Sequence, residues 1–479
     1  MPMRNLTVII LAAAAALLCY QKSVHSRFAS TLADTLQIIS GSYVREVNSR
    51  ELFEGAMDGM VGSLDQYSDY ITPAEIEEFR EGLDQEFGGI GIIVEMHPET
   101  RRMTVMSPLV GTPAWEKGLR AGDAILAVDG EPTEEMDLRD AVKKMRGPKG
   151  TEVTLTLLHP GEQKTQDVTL RRAIINVESV MGDTRLPDGS WRFLLEEEPR
   201  FAYIRVTTFG QHTADEFAAA ISDASQPYDG LILDLRGNAG GLLTAAVDMC
   251  DRFLDSGVIV TTRGRGGVVR EEFTARPGTT LVPKHVPVVV LINRYSASAS
   301  EIVAACLQDH GRAVVIGGRS WGKGTVQNVI PLEGGRSLLK LTTASYWRPS
   351  GADIHRHKGA TEADAWGVHP NEGFEEVLTD AQYEAVLINR RRRDVLYREG
   401  EKPPASQSAN GEESQGNPEG ETAPPEAEDA PAVEPEVGAE SAVEGAAQAP
   451  AADGRDLPLE RAIEYLREQW KLQETPRAA

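Results

Sequence analysis

The stretch 293–328 constrains this chain more than any other, because it joins a strand pattern to a helix pattern through a cluster of small hydroxyl residues. An apolar β-type run over 286–292 precedes the cluster, and apolar residues at helical spacing follow it. A serine at such a junction has an exposed hydroxyl beside the N-terminal amides of a helix, which favour negative charge. The three candidate nucleophiles are Ser296, Ser298 and Ser300.

Lys323 is the second candidate reactive group in the same stretch. It lies between Gly322 and Gly324, and no other lysine occurs between Lys284 and Lys340. Apolar surroundings would disfavour its ammonium form and lower its pKa, which would make it a general base for a nearby serine. The stretch therefore indicates nucleophilic catalysis by one of the three serines.

Three other functions can be weighed on neighbouring residues. The run 317–323 has the spacing of a phosphate-binding loop, but a glycine stands where the magnesium-binding hydroxyl is needed, and a β-like run follows. A Ser-His-Asp triad using His310, His355 or His357 lacks the GxSxG turn. A metal site built from His355, His357 and His369 lacks the HExxH spacing. We therefore expect neither a metal nor a cofactor.

Beyond residue 172 strands alternate with helices, which predicts a mixed α/β domain over 173–400. Its buried strand 230–236 runs into Gly-Asn-Ala-Gly-Gly at 237–241, and an apolar helix follows. A strand that ends in glycines at a helix start presents free backbone N–H groups, which are the donors that an oxyanion hole needs. An ordinary strand-to-helix turn is the alternative. Two cysteines, Cys250 and Cys306, fall in apolar helical patterns and are expected to be buried free thiols.

The length of 479 residues predicts two to four domains, and the net charge of −24 argues against nucleic acid as a partner. Residues 1–26 read as a signal peptide or signal anchor, because an apolar run from Leu6 to Tyr20 is flanked by basic residues. Residues 401–455 are predicted to be a disordered acidic segment, rich in Pro, Ala and Glu. A helical pattern over 456–472 then either packs back on the core or ends a dangling tail.

Two smaller modules precede the α/β domain. Residues 27–85 carry helical patterns that are interrupted at LDQYSDY, residues 64–70, and predict a helical N-terminal module. Residues 86–172 are β-rich and contain a Gly-apolar-Gly-apolar run followed by AGDAILAVDG. This region resembles a PDZ domain. The resemblance implies that Gly89, Ile90, Gly91 and Ile92 form the loop that binds a peptide's terminal carboxylate.

Residues 64–390 resemble the carboxyl-terminal processing proteases, which are tail-specific serine peptidases with an inserted PDZ domain. The shared motifs occur in the family's order: LDQYSDY (64–70), FGGIGI (87–92), DLRGNAGG (234–241), SASASEI (296–302), GKGTVQ (322–327), LKLTTASYWRPSG (339–351) and GVHPN (367–371). The chain departs from the family at Ala239 and Asn371, where proline and aspartate are usual.

The resemblance implies a multidomain α/β chain whose peptidase core is of the ClpP/crotonase-like type. It assigns the nucleophile to Ser298, the general base to Lys323 and an orienting role to Gln327. The oxyanion amides would be those of Ala299 and of either Gly240 or Gly241.

The expected function is that of an exported serine endopeptidase, in the bacterial periplasm or at the periplasmic face of the inner membrane. It would cleave proteins near their C-termini, with the PDZ domain binding apolar substrate tails. The sequence does not decide whether the protein is anchored in the membrane, forms a homo-oligomer or binds an adaptor protein. The alternative function is that of a catalytically silent PDZ scaffold. The basic run from Arg390 to Arg393 is expected to be a solvated helix face.

Overall fold

The computed structural model describes residues 27–77, 79–80, 86–97, 100–223, 227–395 and 454–474. The predicted signal segment lies outside the described residues, as does all but the last part of the predicted acidic segment. No helix within the described ranges combines the length and the apolarity needed to cross a bilayer.

The N-terminal module is helical, as expected, but it also contributes a strand to a sheet of the peptidase core. Asp65 causes the break, because its carboxylate accepts the N–H groups of Tyr67 and Ser68 and closes a tight turn. The extended chain after this turn pairs antiparallel with a long strand near residue 340. The elements of the module are α1 (27–42), α2 (Ser49–Gly62) and β1 (Asp69–Ile71).

The PDZ-like region forms a six-stranded antiparallel sheet with its own apolar core, which includes Val105, Ile125 and Leu155. The chain turns tightly at Asp129-Gly130, where both residues have positive φ. The elements are β2 (Glu86–Gly89), β3 (Ile92–Met96), β4 (Met103–Pro108), α3 (Pro113–Glu116), β5 (Ala124–Val128), β6 (Glu131–Pro132), α4 (Leu138–Met145), β7 (Glu152–Leu158), β8 (Gln166–Arg171) and β9 (Ala173–Asn176), with β2 pairing β9 outside the main sheet.

The α/β domain is built on two five-stranded sheets, and the central one carries the candidate site. Its elements are β10 (Val180–Met181), β11 (Thr184–Arg185), β12 (Trp191–Arg192), β13 (Phe201–Val206), α5 (Thr213–Asp223), β14 (Gly230–Asp234), α6 (Leu243–Asp251), β15 (Val258–Arg263), β16 (Val269–Thr274), β17 (Val288–Ile292), α7 (Ala299–Asp309), β18 (Val314–Gly317), β19 (Thr325–Leu332), β20 (Ser337–Trp347), α8 (Asp380–Asp394) and α9 (Leu457–Glu474).

The central sheet has the order β10-β13-β14-β17-β18, and β13, β14, β17 and β18 run parallel. Every residue of β14 and β17 is buried, as in a parallel sheet with both faces covered. Helices α6 and α7 pack on this sheet and bring together Cys250 and Cys306, two buried free thiols as expected. Because the carboxyl ends of parallel strands share one edge, the turns after β14 and β17 lie side by side.

The second sheet has the order β1-β20-β15-β16, with β19 also paired to β20. The β19–β20 hairpin directly follows Lys323 and carries Gln327, so its placement decides where both side chains lie. Strand β1 lies on the other side of β20, in the register Asp69 opposite Lys340 and Ile71 opposite Leu338. The N-terminal module is thereby fixed to the hairpin that carries part of the candidate site.

Helix α9 packs back on the central sheet. Its apolar face, which includes Leu459, Ile463 and Leu466, belongs to one core cluster with Tyr203 and Ile232. Just before the helix, Asp456 pairs with Arg236 at 2.6 Å, so the chain returns beside the turn that follows β14. This packing agrees with the expected helix that returns to the core rather than with a dangling tail.

The interpretation of Arg390 to Arg393 as a solvated helix face is wrong for Arg390 and Arg393, whereas Arg391 is exposed. The Arg390 guanidinium is buried and lies 3.0 Å from a carboxylate oxygen of Asp183, whose side chain is fully buried. Arg393 binds the other oxygen of Asp183 at 2.5 Å. Arginines three residues apart point to the same side of a helix, and here that side faces the core.

Candidate active site

Ser298 occupies a strained turn between β17 and α7. Its backbone has φ +56° and ψ −113°, a conformation that non-glycine residues rarely adopt and that clusters at functional sites. The side chain hydrogen-bonds the hydroxyl of Tyr346, and burial raises the pKa of that tyrosine to about 12, so the tyrosine stays protonated at neutral pH. Ser298 retains 7% exposure. Ser298 is therefore largely buried at the N-terminal end of a helix.

The other two serines of the cluster have structural roles. The Ser296 hydroxyl donates to the carbonyl of Leu235 at 2.8 Å, and the Ser300 hydroxyl donates to the carbonyl of Asn238 at 2.9 Å. Both side chains are fully buried. Their hydrogen bonds join the start of α7 to the turn after β14, which leaves Ser298 as the candidate nucleophile.

Lys323 is largely removed from water. Burial lowers the pKa of its amine, the positive charge of Lys340 lowers it further, and Glu301 opposes the shift. The ammonium nitrogen lies 5.0 Å from the centre of the Tyr67 ring. Among the described residues, none forms a hydrogen bond with this nitrogen, so the structure does not join Lys323 to Ser298 directly.

Gln327 lies near Lys323 in sequence but is bonded elsewhere. Its amide nitrogen donates to Thr325 at 2.9 Å and to Thr342 at 3.2 Å. The orienting contact with Lys323 that the family resemblance implies is therefore not formed in this arrangement.

Glu301, which the sequence reasoning missed, connects the two halves of the site. Its carboxylate accepts the backbone N–H groups of Ser298 (2.8 Å), Gly322 (2.6 Å) and Lys323 (2.8 Å), and the hydroxyl of Ser320 (2.5 Å). The side chain is fully buried, and burial raises its pKa to about 7 although these hydrogen bonds act in the opposite direction. The spacing Ser298-x-x-Glu301, typical of a helix capping box, was the available sequence signal.

The two candidate oxyanion glycines differ in the state of their N–H groups. The Gly240 N–H donates to the side chain of Asn238 at 2.8 Å, whereas the Gly241 N–H has no hydrogen-bond partner among the described residues. The Ala299 N–H is likewise without a partner in the described part of the chain. Gly240 packs against the serine turn, since a Cβ at Gly240 would lie 2.7 Å from the Cβ of Ser298. Two amides beside Ser298 are thus free to bind an oxyanion.

Two of the three candidate triad histidines are bonded elsewhere. His310 bonds the carbonyl of Val258, and His357 pairs with Asp353. Within the described ranges, no group of three or more His, Cys, Asp or Glu residues is arranged to hold a metal ion.

The phosphate-loop alternative is also unsupported. The amides of Gly322 and Lys323 that would cradle a phosphate already bind the Glu301 carboxylate. Strand β19 follows the lysine, where a phosphate-binding loop would lead into a helix.

The loop at residues 89–92 of the PDZ domain turns at Gly91. Gly91 has φ +78°, and its carbonyl accepts hydrogen bonds from Leu109 and Thr112. The N–H groups of Ile90 and Gly91 bond no other described residue, and Gly89 and Ile92 end and begin the flanking strands. The loop therefore presents unpaired amides beside the edge of β3.

Comparison with protein-family models gives three matches in chain order. Residues 19–74 match the activating protease CtpB N-terminal domain, residues 104–158 match the PDZ domain, and residues 200–371 match peptidase family S41. The chain is 41% identical over 326 residues to a carboxy-terminal-processing protease of Bartonella bacilliformis. The aligned region covers 67% of this chain and 71% of that protein. The chain belongs to peptidase family S41.

Other members of family S41 show similar agreement. A carboxyl-terminal-processing protease of Synechocystis sp. is 35% identical over 356 residues, covering 72% of this chain and 78% of that protein. The protease CtpB of Bacillus subtilis is 35% identical over 323 residues, covering 67% and 64%. Membership in family S41 confirms the predicted family and the multidomain fold, and it identifies a serine-type peptidase.

The two departures from the usual family motifs, Ala239 and Asn371, remove no reacting group. Asn371 replaces an aspartate, yet its side-chain oxygen accepts the N–H of Val315 at 2.8 Å and the amide of Gln308 at 3.0 Å. An aspartate would accept the same two hydrogen bonds. Ala239 lies in the turn beside Gly240 and replaces no reacting group.

Proposed function

We propose that this family S41 chain is an endopeptidase in which Ser298 is the nucleophile and Lys323 is the general base. The observation that carries the proposal is the strained turn at Ser298, which presents the one serine of the cluster whose hydroxyl is not bonded to a backbone carbonyl. Desolvation of Lys323 supports the assignment, because a lowered pKa increases the fraction of neutral amine.

The reaction follows from these groups. Neutral Lys323 takes the proton of Ser298 Oγ as that oxygen attacks the scissile carbonyl, and the resulting ammonium gives this proton to the leaving amine as the peptide bond breaks. The neutral amine then takes a proton from the water that attacks the acyl-enzyme, and it returns that proton to Ser298 Oγ as the acyl group leaves. We assign the oxyanion N–H groups to Ala299 and Gly241, since the N–H of Gly240 is already bonded to Asn238.

Cleavage of an unfolded polypeptide tests the proposal. Ser298→Ala and Lys323→Ala should each abolish turnover, because the two residues act as one unit and losing either costs about as much as losing both. Ser222→Ala and Lys358→Ala change the same residue types at exposed positions and should retain full activity. Full activity of Ser298→Ala would refute the assignment. Binding of peptide C-termini by a wild-type protein that cleaves nothing would instead favour the silent scaffold.

We further propose that the PDZ loop binds apolar C-termini of exported proteins, which are then cleaved near their ends. The proposal is supported by the free amides of Ile90 and Gly91 and, for export, by the apolar run within residues 1–26. The peptidase would then work in the periplasm or at the periplasmic face of the inner membrane. Charged residues in the last three positions of a substrate should weaken cleavage, and unchanged turnover would contradict tail binding.

A further inference from the structure

The turn at residues 64–70 lies against the candidate base, although it belongs to the N-terminal module. Asp65 closes the turn by accepting the N–H groups of Tyr67 and Ser68 (2.8 and 2.9 Å) and the Ser68 hydroxyl (3.0 Å). Burial by itself would raise the pKa of Asp65, but these hydrogen bonds and one from Thr342 lower it, so the carboxylate stays charged. The turn is therefore rigid and keeps Tyr67 in one place.

The same turn is fixed to the peptidase core by contacts from both of its ends. Strand β1 pairs with β20, and upstream Arg50 binds Glu333 at 2.7 Å in the β19–β20 hairpin. The Ser68 hydroxyl accepts the backbone N–H of Thr342 at 3.1 Å. These contacts hold the module on the hairpin that follows Lys323.

Two contacts connect the turn to the candidate catalytic groups. The ring of Tyr67 lies under the Lys323 ammonium, 5.0 Å from ring centre to nitrogen. The Thr342 hydroxyl donates to Asp65 at 3.2 Å and accepts the side-chain amide of Gln327 at 3.2 Å. Lys323 therefore contacts a residue of the N-terminal module, and Gln327, to which the family resemblance gives an orienting role, contacts a residue that this module binds.

We infer that Tyr67 and Asp65 are positioning residues, Tyr67 for Lys323 directly and Asp65 for Gln327 through Thr342, so that the N-terminal module completes the peptidase site. The inference rests on the proposed roles of Ser298 and Lys323. Neither positioning residue touches the substrate in this scheme. They restrict where the base and its neighbour can lie, and they exclude water from one side of the amine.

The aromatic ring affects the protonation of Lys323 in two opposing ways. Its face attracts the ammonium, but it also replaces water, which solvates a compact ammonium strongly. The charged groups that face the amine are Glu301 on α7 and Lys340 on β20, while Asp65 lies in the turn and His355 faces both Asp65 and Gly322. Because desolvation is the largest influence on this amine, loss of the ring should raise the pKa of Lys323.

Tyr67→Ala in the full-length protein tests the first contact. The acid limb of the pH profile of kcat/KM should move to a pH about one unit higher. At pH values on this limb kcat/KM should then fall about tenfold, and it should recover at alkaline pH. Tyr67→Phe retains the ring and should rescue the wild-type profile. Tyr70→Phe removes a hydroxyl from the same segment, where it binds Arg50 and Glu333, and should leave the profile in place.

Thr342→Val tests the second contact by removing one hydroxyl from a side chain of the same shape. We expect kcat to fall about tenfold with little change in KM, as for an interaction that matters only in the transition state. Thr342→Ser restores the hydroxyl and should restore kcat. Equal losses in the valine and serine variants would overturn this half of the inference.

The outcomes separate the inference from the proposed function. If Ser298→Ala and Lys323→Ala are inactive while Tyr67→Ala has the wild-type pH profile, the peptidase assignment stands and the inference about Tyr67 is wrong. A profile of Tyr67→Phe that is shifted as far as that of Tyr67→Ala would also overturn it. If Ser298→Ala remains active, the proposed function itself fails.

Discussion

Gly240 lies so close to Ser298 that a Cβ on Gly240 would be 2.7 Å from the Cβ of Ser298 and 3.0 Å from the N–H nitrogen of Ala299. The turn after β14 and the turn after β17 are therefore packed backbone to backbone. A nucleophile on one turn and a free amide on the other can bind the same carbonyl group only while this contact persists.

Gly240→Ala should reduce peptidase activity by at least about a hundredfold, because it separates the oxyanion amide from the serine. The alanine would also have to adopt φ +107°, which side chains disfavour. We therefore expect the folded protein to be destabilised by about 2 kcal/mol as well. Gly278→Ala isolates the backbone strain, since φ is +85° there and no atom lies within 4 Å of the new Cβ. Equal activity losses in the two variants would show that close packing at Gly240 is unimportant.

Glu301 should make stability depend on pH. Its folded-state pKa is raised to about 7, so the folded protein binds the proton more tightly than the unfolded chain does. The group therefore favours folding most below its unfolded pKa and loses that contribution as the pH rises towards 7. The loss amounts to about 3 kcal/mol, since one pKa unit corresponds to about 1.4 kcal/mol.

Urea denaturation of wild type and Glu301→Gln between about pH 5 and pH 8 measures this contribution. Glutamine has no charge to titrate, so the stability advantage of the wild type over the variant should shrink across this range by about 2 to 3 kcal/mol. A constant difference between the two proteins would mean that Glu301 does not titrate in this range.

Arg390→Ala should destabilise the fold by about 3 kcal/mol, because it removes a partner from the fully buried carboxylate of Asp183. Arg391→Ala, one residue on, removes an exposed side chain and should change stability by less than about 0.5 kcal/mol. Thermal or urea unfolding distinguishes the two. Similar values for both variants would restore the view that this helix face is solvated.

Deleting residues 403–450 should leave activity and stability unchanged. Gly454 accepts a hydrogen bond from Asn389 at 3.3 Å, so the chain returns beside α8. Truncation after Gly454 should instead destabilise the core by several kcal/mol, since each buried leucine or isoleucine of α9 contributes about 1.5 to 3 kcal/mol.

A point-mutation pair on α9 provides a milder version of the same test. Leu466 is fully buried and Leu472 is 70% exposed on the same helix. Leu466→Ala should cost about 2 to 5 kcal/mol, whereas Leu472→Ala should be nearly neutral. Equal unfolding midpoints would argue that α9 contributes little to the fold.

Local patterns in the sequence determined the strands and helices that surround the site, and motif order determined the family. The run before the serine cluster forms β17, and the glycine-rich end of the strand at 230–234 forms the turn beside Ser298. These features depend on side-chain periodicity and on the backbone freedom of glycine, and both are local properties of the sequence. The local patterns indicated Lys323 and a group of three serines, and the family resemblance implied Ser298 among them.

Only the tertiary structure decided the partners of those residues. Glu301 joins the serine turn to the lysine loop, Arg390 turns inward to Asp183, and Tyr67 lies under the base from a module far away in sequence. Asn238 takes the Gly240 amide and leaves that of Gly241 free. The Asn238–Gly240 bond lies within a single turn, but each of the other contacts joins separate segments. The separation of those segments is set by sheet order and packing, about which a one-dimensional pattern carries no information.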